Sequence, residues 1–158
     1  MAIKTLVDLF IHDLSDVYSA EKQITRALPK MARAATDESL KAAFEAHLEE
    51  TRGQIERLDQ IVEKTEELRI RRMKCHALEG LVEEAQEIID SVEAGPVRDA
   101  GLIGAAQKVE HYEIATYGTL TAMAKRLGFD EAAALLAETL KEEKATDEKL
   151  NVIAEQTS

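Results

Sequence analysis

The chain has no tryptophan, one cysteine (Cys75) and two prolines (Pro29 and Pro96) among its 158 residues. A lone cysteine excludes an internal disulfide and fits a reducing compartment. No uninterrupted apolar run is long enough to cross a membrane. The N-terminus lacks the charged, apolar and small-residue sections of a signal peptide, so the cytoplasm is the expected location and no membrane partner is expected. Basic residues are scarce as well: 20 Lys and Arg face 31 Asp and Glu, a net charge of -11. That balance disfavours a phosphate-binding surface, and no nucleic-acid partner is expected. The one basic block, Arg69-Ile70-Arg71-Arg72, reads as an exposed helix end.

What is present is Ala, Leu, Glu and Lys, a composition that favours a nearly all-helical protein. The length suits one domain with a real core, spanning residues 1–158. Four long helical patterns are predicted, over about 3–35, 38–68, 98–127 and 130–154, with a shorter one over 76–92. Pro29 is expected to kink the first helix or end its regular part. Thr36 or Asp37 is expected to cap the second, Gly128 to stop the helix before it, and Asp130 to cap the last. The turns near residues 36 and 129 are short, whereas the connection over 69–97 is long and carries its own helix. This is an all-α four-helix bundle with one long crossover, the layout of ferritin-like folds.

The apolar stripes of the four long helices are interrupted at mid-length. Glu21 lies between Val17 and Ile24. His47, Thr51 and Gln54 lie on the second stripe, with Glu50 on its flank. Glu110 and Glu113 break the third stripe, and Glu143 and Asp147 the fourth. Counting from the turns places these groups at similar heights, since α-helices share a common rise. Glu21 and Glu50 are 29 positions apart and Glu113 and Glu143 are 30, so the two hairpins read as approximate repeats. One such carboxylate alone reads as a rim residue. Several buried together are costly unless neutralised. No Lys or Arg lies on the stripes near the belt, and protonation would demand strongly raised pKa values. A pair of divalent ions is the simplest answer, and an oxygen-rich site with few nitrogens suits iron or manganese.

Four runs then carry a resemblance: FIHDLSDVYSAEKQ (10–23), HLEETRGQIERLDQI (47–61), AAQKVEHYEIATYGTL (105–120) and EEKATDEKL (142–150). Together they are similar to the YciE/YciF family of bacterial stress-associated proteins, within the ferritin-like superfamily. The resemblance implies a dinuclear centre inside the bundle. Compared with rubrerythrins, Glu21, Glu50, Glu110, Glu113 and Glu143 match ligand positions. Gly53 and Thr146 stand where the two histidine ligands are expected. His47, one turn before Glu50, can supply a nitrogen instead, and Asp147 an oxygen. Around these ligands Tyr117, Gln54 and His111 are read as orienting neighbours, Tyr117 as a core aromatic whose hydroxyl bonds a polar group.

The expected cofactor is thus two iron ions, or manganese, in a centre reacting with oxygen, hydrogen peroxide or ferrous ion. Ferroxidase, peroxidase or catalase-like chemistry is expected, and any reductant would be external, because no C-x-x-C module is present. The alternatives are a non-enzymatic bundle with a structural or vestigial metal site, or iron sequestration. The apolar side of the short helix is expected to cover the bundle or to form a homodimer interface.

Overall fold

A computed structural model describes residues 2–157, the Thr157 side chain excepted. The expected domain limits, residues 1 and 158, lie outside the described residues. Five helices form: α1 Leu6–Ala34, α2 Glu38–Lys64, α3 His76–Ser91, α4 Pro96–Arg126 and α5 Asp130–Thr157. No strand occurs among the described residues.

Local chemistry sets most of the boundaries. Thr5 opens α1 with a capping box: Asp8 N–H donates to Thr5 Oγ1 (3.1 Å), and Thr5 N–H donates to Asp8 Oδ2 (3.2 Å). Pro29 does not end α1, which runs on to Ala34; it forgoes only the bond to the carbonyl four residues back. Asp37 rather than Thr36 caps α2, accepting from Leu40 N–H at 2.9 Å. At the end of α4, Gly128 adopts φ 78°. Phe129 N–H reaches Ala124 O (2.9 Å) and Gly128 N–H reaches Lys125 O (3.1 Å), the paired bonds of a Schellman stop. Asp130 is the first residue of α5 rather than its cap, and its charge suits a helix N-terminus.

Two expectations need correction. Helix α2 stops at Lys64 instead of Leu68, because Thr65 is extended and a turn (Leu68 N–H to Thr65 O, 3.0 Å) carries Leu68 back into the core. The block Arg69–Arg72 is therefore not a helix end. It runs along α1, where Arg71 N–H donates to Ser15 Oγ (2.8 Å), and one α1 turn further Cys75 N–H donates to Ser19 Oγ (2.9 Å).

Helices α1 and α2 pair, as do α4 and α5; α2 also packs on α5, α1 on α4, and α3 on α1 and α4. Asp99 in the first turn of α4 is buried and accepts from Thr36 N–H (2.7 Å) and Asp37 N–H (2.9 Å). The start of α4 thus meets the end of α1, and the two run antiparallel. The link from α2 to α4 must then travel the length of the bundle, which is why it is long. Its helix α3 turns its apolar face onto the bundle, burying Leu78 and Ala85. Gly101 allows this approach: a Cβ there would lie 2.8 Å from Ile88 Cγ2.

The core is divided. One apolar cluster gathers Ile24, Leu28, Phe44, Leu102 and Leu150. The other gathers Phe10, Leu14, Leu58, Leu120 and Leu136. The interrupting polar residues of all four long helices lie between them in sequence.

Candidate metal centre

Each long helix places its polar residues in register because the interruptions fall on its buried stripe. Glu21, His47, Glu110, Glu113 and Glu143 are all buried, Glu21, Glu113 and Glu143 with no exposed surface. His47 and the carboxylates of Glu110, Glu113 and Glu143 each present a ligand atom within 4.8 Å of the others. His47 Nε2 lies 2.9 Å from Glu110 Oε1 and 3.8 Å from Glu143 Oε2. This buried group of one imidazole and three carboxylates has the composition and spacing to hold a metal ion.

Glu21 adjoins the four, its carboxyl facing that of Glu113. Its other partner is Tyr117, whose hydroxyl donates to Glu21 Oε2 at 3.0 Å. Glu50 is half-buried and accepts from Thr146 Oγ1 at 3.0 Å, so the residue at one missing-histidine position holds a carboxylate instead. At the other, Gly53, a Cβ would meet nothing within 4 Å. Gln54 donates to Glu142 Oε1 at 3.2 Å and also faces Glu143. Asp147 points elsewhere: it accepts from Gln107 Nε2 (3.4 Å) and lies 3.2 Å from His111 Nε2. His111 is exposed and touches Asp147, outside the four-residue group.

The electrostatics are those of charge stripped of water. Burial raises Glu21 to about 7 and Glu110 to about 8. Burial likewise raises Glu113 and Glu143 well above the usual carboxylate range, with neighbouring Glu143 and Glu110 respectively adding to it. The Tyr117 phenol is raised by burial and then by Glu21. Glu21 Oε1 and both oxygens of Glu110, Glu113 and Glu143 lack a hydrogen-bond partner, as does His47 Nε2. The nearby arginine is engaged outside this group: Arg57 forks onto Glu142 with two contacts of 2.7 Å. Unpaired buried acceptors on this scale demand protons or cations.

Sequence reading missed one neighbouring arrangement. Cys75 is the N-cap of α3, its Sγ accepting from Leu78 N–H at 3.4 Å. It also lies 3.1 Å from the Tyr112 hydroxyl, which donates to Asp16 Oδ2 at 2.9 Å. Tyr112 lies between two predicted ligands, the only signal that pointed to it.

A family profile described as a domain of unknown function (DUF892) matches residues 5–158. Protein YciF of Escherichia coli (strain K12) is 65% identical over 154 residues, covering 98% of this chain and 93% of that protein. The crystal structure of the E. coli stress protein YciF aligns with a TM-score of 0.96 at 64% identity, over 98% of each chain. YcfI of Rhodopseudomonas palustris aligns with a TM-score of 0.90 at 48% identity, over 94% of each chain. A protein of Xanthomonas campestris pv. campestris, 22% identical with a TM-score of 0.76, shares the fold.

Proposed function

The chain belongs to the DUF892 family, and we propose that its divided core binds two redox-active divalent ions, iron or manganese, and reacts with a small oxidant. The observation that carries this reading is the set of partnerless buried oxygens on Glu110, Glu113 and Glu143 beside the partnerless Nε2 of His47. Facing carboxylates accept hydrogen bonds and donate none when ionised. Glu21 with Glu113, and Glu110 with Glu143, therefore satisfy each other only through a shared proton or cation. The four fully buried carboxylates, Glu21, Glu110, Glu113 and Glu143, balance the charge of two divalent ions.

His47, Glu110, Glu113 and Glu143 would hold the metal, with Glu21 and Glu50 completing the set. When bound, the ions supply one-electron redox chemistry toward oxygen, peroxide or ferrous ion. The chain's own contribution is positional. Tyr117 holds Glu21, and Thr146 holds Glu50. The two apolar clusters on either side exclude bulk water, which strengthens every charge interaction at the belt. Any reductant would be external, and the working assembly we propose is a cytoplasmic homodimer.

Anaerobic titration with ferrous ion, followed optically on addition of oxygen or peroxide, tests the reading. Two ions per chain and an oxidant-dependent absorbance change are expected. A Glu113→Ala variant that matches the starting protein would sink the site.

A further inference from the structure

Beneath α3 lies a cavity of about 20 Å³. Its half-buried lining is Ala27 on α1 with Leu81 and Val82 on α3. Ala85 on α3 and Ala106 on α4 line its buried part. The one polar residue in the lining is His47, 4% exposed, the same imidazole whose Nε2 is partnerless beside Glu110. An apolar void bordered by half-buried side chains therefore touches a member of the carboxylate cluster.

Size and lining together choose the occupant. The void has room for about one water, but a stable buried water needs two to four polar partners. Here only His47 is polar. Hydrogen peroxide and a hydrated cation would surrender hydrogen bonds in this void without replacing them. An apolar diatomic surrenders none, and dry apolar cavities take up small apolar guests. We infer that the cavity beneath α3 admits dioxygen to the cluster past His47, so that dioxygen rather than peroxide is the oxidant this fold is built to receive. The inference rests on the reading of the cluster as a metal centre and names its co-substrate.

Xenon, a chemically inert apolar probe, tests the cavity without any metal. Crystals of the metal-free protein pressurised with xenon are expected to show a xenon atom among Ala27, Ala85 and Ala106. Ala27→Leu, at the half-buried border, and Ala106→Val, in the wall, are expected to lose it. Either variant suffices if the other fails to fold by circular dichroism. In iron-loaded protein both variants should bind ferrous ion in the original ratio, react about tenfold more slowly with oxygen, and react with peroxide at the original rate. No xenon in the starting protein would overturn the inference. So would an unchanged oxygen rate in a variant that excludes xenon, or equal slowing with oxygen and peroxide. Failure of the starting protein to bind ferrous ion would remove the reading of the cluster and the inference together. Iron binding with normal oxygen rates in xenon-free variants would remove the inference alone.

Discussion

His47 Nε2 lies 2.9 Å from Glu110 Oε1, yet the two form no hydrogen bond. An unprotonated imidazole nitrogen and an ionised carboxylate are both acceptors, and two acceptors do not pair at any alignment. Glu143 Oε2 lies 3.8 Å from the same nitrogen. Buried acceptors this close are costly unless a proton or an ion lies between them.

Metal binding should therefore stabilise the fold. At a hundredfold excess over Kd the gain is about 2.7 kcal/mol, or roughly 5–10 °C in thermal midpoint for a chain of this size. His47→Ala removes the one nitrogen donor of the group and should weaken binding by more than the ~10–100-fold typical of an outer partner. Calorimetric scans with and without ferrous or manganous ion check both. A midpoint indifferent to either metal contradicts the site.

Stability without metal should depend on pH in a defined direction. Glu21 near 7 and Glu110 near 8 lie above the ordinary carboxyl value, as do Glu113 and Glu143. A carboxyl raised by folding contributes stability that is full below its unfolded pKa and lost as pH rises through its folded pKa. For these groups the metal-free protein should weaken from about pH 4 to pH 8 and beyond. Glu113→Gln removes one such ionisation while keeping the shape, so its stability should fall less steeply across that window. Urea unfolding of both metal-free proteins at several pH values measures the difference; parallel curves would reject the expectation.

Much of this arrangement is legible along the chain, and the reason is periodicity. Long helices repeat their buried stripe regularly, so an interrupting Glu21 or Glu113 announces its depth. Capping groups such as Asp37 and Gly128 act on neighbouring backbone, where sequence distance equals spatial distance. Contacts between helices escape that logic. Asp147 shares a stripe with Glu143 but turns to Gln107 and His111, a choice made by packing against α4. Cys75 meets Tyr112 across 37 positions, and Ser15 and Ser19 hold a link that no periodic pattern describes. Leu68 lost its expected helix yet is buried, because burial and helicity separate wherever a turn returns a side chain to the core.

Tyr117 offers a test of how the neighbours orient the ligands. Its hydroxyl donates to Glu21 Oε2 at 3.0 Å in a fully buried setting. Tyr117→Phe keeps the ring and deletes that bond. Metal affinity should fall by about 10–100-fold, and the metal-free fold should lose roughly 1–3 kcal/mol for the stranded acceptor. The two effects separate by competition titration and urea unfolding. An affinity unchanged by the substitution would make Tyr117 a packing residue alone.

Asp99 should behave in the opposite way, sustaining the fold while leaving the centre alone. Its carboxylate takes Thr36 N–H on one oxygen and Asp37 N–H on the other, tying α4 to the α1–α2 turn. Both donors belong to backbone that a helix end leaves unpaired. Hydrogen bonds to a charged group are worth about 1.5–3 kcal/mol each, so Asp99→Ala should cost several kcal/mol. Asp99→Asn keeps one acceptor oxygen and should recover part of the loss. The tie lies at the end of the bundle, about three helical turns from Glu110 on the same helix, and breaking it moves no ligand directly. Folded variant protein, measured below its lowered midpoint, should bind metal in the same ratio as the starting chain. Loss of metal stoichiometry at a temperature where Asp99→Asn remains folded would show that the end of the bundle and its belt are mechanically coupled.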